Sequence, residues 1–407
     1  MPWNFLPPAA RLMLVLALGS AAVVVLRPAP DAAHREFWLF SRTHQALYET
    51  RLAAWNATHG TPLLPVILSS VVLERRIQSA FYSGTPAADL VEVERRTVPP
   101  LFSGPLADVG FADLTDRIKA EGIDKEIVPA SFSPWTSRGR IFGLPHDVHP
   151  VLLAYRADIV EAAGIDLSRV RTWDEFFAAL RPLQRPGPDG VPAHVPLAFS
   201  ISDPAQVEAL LLQGDGSLFD DEGNPRVDAP RNAELLARLV GWTLGSAPQT
   251  VQADEFSASG NRLKLEGFVL AALMPDWLTQ TWRLDMPGLA GKVKLIPLPA
   301  WEEGGRRTTV MGGTMLGLPK ASGHFEENWA AAKELYLGED EAVALFEKTG
   351  IVTPVSKFWG NPVFDRPDPF FDGQKTGRLF VGAASAVPRR PSSPLNNFAL
   401  DRVVDAA

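Results

Sequence analysis

Apolar and polar positions follow a regular order along the first part of the chain. Short, mainly apolar runs at 37–40, 66–68 and 90–93 are each followed by polar residues, the pattern of buried strands. Each of the two segments between them places apolar side chains at i, i+4 and i+7 and ends at a glycine, as an amphipathic helix does. This order predicts an α/β fold with a parallel, doubly wound sheet.

Polar residues follow all three predicted strands. Ser41–His44 come after the first strand, Ser69 and Ser70 after the second, and Glu92–Arg96 lead out of the third. Ligands bind at the carboxyl ends of the strands in such sheets, so the pattern predicts three loops that face a binding site.

A polar insert separates two apolar runs near the middle of the chain. The runs are Ile141–Pro145 and Val151–Tyr155, and the insert is His146–Pro150. An acid and two imidazoles between buried strands are costly unless they are satisfied or functional. Asp147 and His149 are therefore either parts of a satisfied structural turn or ligand contacts at a crossing between two lobes.

The most apolar run outside the N-terminal region is Phe268–Met274, and Asp276 and Trp277 follow it directly. An indole at the end of a buried strand has two interpretations. Trp277 either packs in the core or projects into a ligand site, and its position favours the site.

Two other motifs bear on ligand class. Gly312 and Gly313 lie in an apolar run, where paired glycines allow close approach of the backbone to a ligand, but GxGxxG and P-loop spacings are absent. The segment Leu210–Asp228 is predicted to be loop and hairpin-like. Its four acids between Asp215 and Glu222 lack calcium-loop spacing and are predicted to form a solvated turn. No metal and no cofactor are expected.

Composition narrows the class of protein further. A chain of 407 residues is expected to form at least two domains. Its net charge of −8, without a dense Lys/Arg cluster, argues against nucleic-acid binding. The absence of cysteine excludes disulfides, thiol nucleophiles, thiolate metal sites and a lipidated N-terminal Cys.

The N-terminal region indicates export. Arg11 is followed by the uncharged segment Leu12–Leu26 and then by Arg27, as in the apolar region of a signal peptide. Residues 1–33 are predicted to be a signal peptide or an uncleaved anchor. The location is then periplasmic or otherwise extracytoplasmic, with the chain free or tethered by this segment.

Six motifs in their order resemble the family 1 extracellular solute-binding proteins, the sugar-capturing subunits of ABC importers. They are Phe37–His44, Leu106–Ile118, Ile141–Pro145 running into Tyr155–Asp166, Arg171–Phe176, Gln213–Gly223 and Ala272–Trp277. The insert at 146–150, with the segments 297–307 and 312–320, is most similar to the subset that binds arabinose or arabino-oligosaccharides.

The resemblance implies a two-lobe, periplasmic-binding-protein-like (type II) clamshell with a multi-strand hinge. Carried onto this chain, the N-terminal lobe is 34–146 plus 316–350 and the C-terminal lobe is 147–315 plus 351–407. Two departures are a short C-terminal region and the absence of the Cys that many members lipidate.

The resemblance also implies a ligand site. It places Ser41 and His44 after the first strand and Glu94 after the third. It assigns the hinge acid to Asp147 and the stacking aromatic of the second lobe to Trp277, beside Asp276. His149, Gly312 and Gly313 complete the candidate ligand-binding residues, and no catalytic residue is assigned.

Three functions remain open from the sequence. The first is a monomeric sugar carrier, not an enzyme, that delivers its carbohydrate to membrane permease subunits. The second is an exported glycoside hydrolase that uses Asp147 and Asp276 as paired carboxylates. The third is a binder of the same fold for a polyamine, a metal or an anion. A Ser–His–Asp hydrolase is disfavoured because no G-x-S-x-G motif is present.

Overall fold

The computed structural model describes residues 7–26, 34–186, 192–244 and 248–406. The apolar N-terminal segment forms a helix, Pro8–Leu26, and residues 27–33 of the predicted signal segment lie outside the described part. No helix in the described ranges combines the length and the apolarity that a membrane crossing requires. Export by this segment stays a prediction.

Two five-stranded sheets organise the molecule. The strands are β1 (Arg35–Leu39), β2 (Leu63–Ile67), β3 (Leu90–Glu94), β4 (Thr136–Ser137), β5 (Arg140–Ile141), β6 (Leu144–Pro145), β7 (Val151–Arg156), β8 (Val195–Ala198), β9 (Thr250–Val251), β10 (Val269–Pro275), β11 (Val293–Pro297) and β12 (Thr314–Gly317). The first sheet has the order β2-β1-β3-β12-β6 and the second has the order β11-β7-β10-β8-β9. The short strands β4 and β5 pair separately.

Helices cover both sheets. The α-helices of the described residues are α1 (Pro8–Leu26), α2 (Arg42–Thr58), α3 (Ser70–Ser83), α4 (Val98–Leu101), α5 (Thr115–Ala120), α6 (Pro129–Phe132), α7 (Ala157–Val160), α8 (Trp173–Leu180), α9 (Pro204–Gln213), α10 (Pro230–Leu244), α11 (Ala258–Leu265), α12 (Leu278–Asp285), α13 (Phe325–Tyr336), α14 (Glu339–Thr349), α15 (Thr376–Ala384) and α16 (Asn396–Ala406). Short 3₁₀ turns join several of them, including one directly after β3.

The first sheet has the predicted parallel core. β1 lies between β2 and β3 and pairs in parallel with both, so that Trp38 is opposite Val66 on one side and Val91 on the other. The predicted helical stripe of α2 is buried, including Tyr48 and Trp55. Burial of that stripe holds α2 against the sheet and fixes the loop between β1 and α2 at the carboxyl end of β1.

The helix α9, which follows β8, differs from the sequence prediction. The segment from Leu210 was predicted to be loop and hairpin, but α9 continues through it to Gln213. Asp203 caps this helix by accepting the amides of Ala205 and Gln206, and the last seven residues of α9 are all buried. Burial in the second lobe therefore extends the helix into a segment that the sequence predicted to be loop.

Within the described residues, the chain passes between the two lobes three times. The first crossing joins β6 to β7 at 146–150, the second runs from β11 to β12, and the third follows α14 at 350–352. The first two crossings pair with each other through a bridge between Pro150 and Val310. The result is two α/β lobes with a hinge of several strands. The predicted boundary at 315/316 falls inside β12, and the lobe boundaries stay a prediction.

Candidate ligand-binding cleft

A cavity of about 790 Å³ opens between the two sheets. It is lined by the loops that follow β1 and β3 in the first lobe, by those that follow β8, β9 and β10 in the second, and by residues of all three crossings. The carboxyl ends of strands from both lobes thus face one space, as expected for this class of sheet. Ser69 and Ser70, which follow β2, are not part of the lining.

Ser41 and Glu94 line the first-lobe side as the sequence predicted. Ser41 caps α2, because its Oγ accepts the amide of His44 at 3.3 Å. Glu94 ends β3 and is half-buried, and this burial raises the pKa of its carboxyl group. A hydroxyl and a carboxyl group at neighbouring strand ends suit a ligand that both donates and accepts hydrogen bonds.

His44 also lines the cavity, from the first turn of α2. Its Nδ1 lies 2.5 Å from Oε1 of the fully buried Glu92, and its ring packs against that of His146 with 4.5 Å between centroids. The ligating atoms of these three residues lie within 4.8 Å of one another, so the cluster could hold a metal ion. His44 therefore connects the cavity to a buried polar cluster beside it.

Trp277 forms an aromatic wall of the cavity. It lies directly before α12, is half-buried, and donates from Nε1 to the carbonyl of Met311 at 3.0 Å. Phe256, which the sequence analysis missed, lies parallel to it with 6.2 Å between ring centroids and 7° between planes. Phe256 is 71% exposed, so this aromatic pair reaches from the cavity to its mouth.

The paired glycines line the cavity at a point where the backbone passes close to other groups. Gly312 has φ 103° and Gly313 has φ 130°, values that favour glycine. A Cβ on Gly312 would lie 2.8 Å from Nε1 of Trp277 and 3.0 Å from Cδ2 of His149. Glycine at 312 thus allows the indole and the imidazole to lie side by side.

His149 lies between two buried carboxylates and also lines the cavity. Its Nε2 is 3.0 Å from Oδ2 of Asp147, and its Nδ1 is 2.7 Å from Oδ1 of Asp276. Asp147 also accepts the amide of Thr314 at 3.0 Å, and Asp276 accepts the amide of Val352 at 2.8 Å. This buried network therefore ties the three crossings together at the hinge.

The charges in this network stabilise one another. Burial opposes a charged imidazole, but Asp147 and Asp276 raise the pKa of His149 to about 10. Burial likewise opposes ionisation of Asp147, yet His149 and His146 hold the pKa of that carboxyl well below its usual range. At neutral pH His149 is therefore an imidazolium, held beside Asp147 and Asp276.

Direct ligand contacts by Asp147 and Asp276 do not fit this arrangement. They are 5% and 0% exposed and are absent from the cavity lining, in contrast to the sequence expectation. His149 and a backbone amide already bond to Oδ2 of Asp147, and His149 and backbone amides bond to both oxygens of Asp276. The structure places the two carboxylates behind His149, where they orient it.

A cluster of ion pairs that the sequence analysis missed spans the cavity. Glu208 of α9 bonds to Arg95, which follows β3, at 2.5 Å and lies 3.1 Å from Arg390. All three side chains are buried, and the amide of Arg390 donates to Oγ of Ser133 at 2.9 Å. A lone acid within the apolar helix α9 was the available signal, whereas nothing in the local sequence marks Arg390.

Two α/β lobes that enclose a ligand-sized cavity at their strand ends define a two-lobed binding protein. The chain belongs to the bacterial extracellular solute-binding proteins, whose family model matches residues 45–347. The family predicted from the motifs is therefore confirmed.

Two relatives are similar to this chain over most of its length. The chain is 27% identical over 348 residues to an arabinooligosaccharide-binding protein of Halalkalibacterium halodurans, covering 82% of this chain and 74% of the relative. An arabinooligosaccharide-binding protein of Bacillus subtilis is 27% identical over 327 residues, covering 77% and 72%. The solved sugar-binding protein MalE from Xanthomonas citri superposes with a TM-score of 0.73 at 17% identity, covering 92% of each chain. This likeness confirms the two-lobe α/β fold.

Proposed function

We propose that this protein binds a carbohydrate, most specifically an arabino-oligosaccharide, in the cavity between its lobes. The protein is exported by its N-terminal segment and acts outside the cytoplasm as a monomer. There it delivers the ligand to the membrane permease subunits of an ABC importer. The observation that carries the proposal is the aromatic wall of Trp277 and Phe256 facing polar groups of the opposite lobe. The names of the two relatives support the choice of sugar.

The chemistry of the lining suits a sugar. A sugar ring offers a C–H face that packs on an indole and hydroxyls that both donate and accept hydrogen bonds. Ser41, Glu94 and His149 provide such partners around Trp277. The cavity volume of about 790 Å³ lies in the range of about 300–1,000 Å³ usual for small-molecule sites.

The hydrolase and the polyamine binder are both disfavoured by this geometry. A hydrolase based on Asp147 and Asp276 would need both carboxylates at the cavity, but both are buried and bonded to His149. A polyamine would need unpaired site carboxylates. Glu208 and Glu255, the most buried acids of the lining, are each paired with a basic side chain.

The test is a calorimetric and thermal-shift screen of the purified protein. The ligands are arabino-oligosaccharides of increasing length, maltose, galactobiose, spermidine and phosphate. We expect saturable binding of an arabino-oligosaccharide without release of shorter products. Binding of spermidine or phosphate alone, or turnover of an oligosaccharide, would contradict the proposal.

A matched pair of variants separates the site from general stability. Trp277→Ala removes the cavity wall, whereas Trp359→Ala removes another half-buried tryptophan whose Nε1 bonds to a backbone carbonyl, that of Thr353, at 2.9 Å. We expect Trp277→Ala to weaken sugar binding at least tenfold and Trp359→Ala to leave affinity unchanged. Equal affinities in the two variants would remove Trp277 from the site.

A further inference from the structure

Three potential metal ligands meet in the first lobe beside the sugar cavity. His44 comes from α2, Glu92 from β3 and His146 from the start of the first crossing. Their ligating atoms lie within 4.8 Å of one another, and the residues are 6%, 0% and 4% exposed. The ligands are far apart in sequence, so no spacing motif marks them.

His146 is the least satisfied member of this cluster. Among the described residues neither of its ring nitrogens has a hydrogen-bond partner, although both are buried. Oδ2 of Asp147 lies 3.4 Å from Nδ1, too poorly placed to count as a hydrogen bond. Buried polar atoms are nearly always paired, so an imidazole held this way calls for a partner that the protein atoms do not supply.

The surrounding residues are arranged as supports for three ligands. Oε2 of Glu92 accepts the hydroxyls of Tyr48 at 2.8 Å and of Tyr336 at 2.9 Å, which leaves Oε1 directed at His44. Asp147 lies on the Nδ1 side of His146, which leaves Nε2 as its ligating atom. A carboxylate behind a ligating histidine and hydrogen bonds to a ligating carboxylate are the usual outer contacts of a metal site.

We propose that His44, Glu92 and His146 form a binding site for Zn²⁺. Two imidazoles and one carboxylate are a ligand set that zinc accepts, whereas calcium and magnesium take oxygen ligands. Zinc bonds of about 2.0–2.2 Å place tetrahedral ligands about 3.4 Å apart. The His44–Glu92 contact, now 2.5 Å, must therefore open, and the proton that it shares must leave as the ion enters.

The position of the site determines which parts of the protein a bound ion would stabilise. It would link α2 and β3 of the first lobe to the segment that leads into the hinge. The ion therefore stabilises the first lobe and the start of the crossing. This inference does not depend on the identity of the sugar.

The experiment uses the full protein, stripped with a chelator and freed of it, and zinc chloride as the probe. We expect one zinc per chain by elemental analysis and a melting temperature that rises with free zinc. His44→Gln and His146→Gln should each lower zinc affinity at least 100-fold. His324→Gln, which changes an exposed histidine elsewhere in the first lobe, should bind zinc like the parent.

Two outcomes would overturn the site. One is the absence of saturable binding, and the other is binding of equal affinity in His146→Gln and the parent. If the variants fail to fold, X-ray absorption of the zinc-loaded parent decides the question. Two imidazole nitrogens and a carboxylate oxygen at about 2.0–2.2 Å from the zinc support the site. A zinc coordination sphere with fewer than two imidazoles refutes it.

Discussion

The hinge network predicts an alkaline loss of stability that depends on His149. The imidazole bonds to Asp147 at 3.0 Å and to Asp276 at 2.7 Å, and its pKa is raised to about 10. A base whose pKa is higher in the folded state contributes stability fully below its unfolded pKa, about 6.5. That contribution is lost as the pH rises through about 10.

The expected magnitude follows from the two pKa values. The interval between about 6.5 and about 10, at about 1.4 kcal/mol per pH unit, gives an upper limit of about 5 kcal/mol. Between pH 6 and pH 9 the part lost is about 3 kcal/mol. His149→Gln removes the titrating group, so the variant should lack this part of the pH dependence. It should also be destabilised by about 3–5 kcal/mol at pH 6, because two buried carboxylates lose their cation.

Urea unfolding of both proteins at several pH values between 6 and 9, with EDTA present to remove metal, measures these differences. His194→Gln is the matched control, since His194 is partly buried and its Nδ1 bonds to the backbone carbonyl of Gly267 at 2.7 Å. The control should keep the parental pH dependence. If His149→Gln loses the same stability between pH 6 and pH 9 as the parent does, the imidazolium assignment is refuted.

Three further predictions concern the cleft. Glu208→Gln leaves the guanidinium groups of Arg95 and Arg390 without their carboxylate. We therefore expect the free energy of unfolding in urea to fall by about 3–5 kcal/mol. A loss below about 1 kcal/mol would show that the cluster is solvated. Phe256→Ala should change unfolding by less than about 0.5 kcal/mol because the ring is 71% exposed, yet weaken binding of longer oligosaccharides about fivefold. An equal effect on short and long ligands would place the ring outside an extended site. Small-angle scattering should show a smaller radius of gyration with bound sugar, and an unchanged radius at saturation would exclude closure of the lobes.

Local pattern and fold rules located several residues that line the cavity. The alternation of short apolar runs and helical stripes predicted β1, β2 and β3 with their parallel pairing. The rule that ligands bind at strand ends then selected the loops of Ser41 and Glu94, which line the cavity. The same reasoning placed Trp277 at the end of β10. The positions of these residues were predictable because strand direction and burial periodicity are set by neighbours in the sequence.

Other assignments depended on partners far away along the chain. Asp147 and His149 are neighbours in sequence, but the loop at His149, with φ 46°, lets its ring reach Asp276 while Asp147 bonds to Thr314. Only this geometry decides that His149 faces the cavity and the carboxylates do not. The ion pair of Glu208 likewise depends on Arg390, which lies far away along the chain in an irregular segment without periodicity.

The sequence by itself determined the α/β class, the family and two of the loops that line the cleft. Each of these depends on spacing within one segment or on the order of segments. The tertiary structure decided which polar groups are exposed to a ligand and which are buried against one another. That division depends on side chains brought together across the hinge, where burial makes every unpaired charge costly and so fixes the partner of each group.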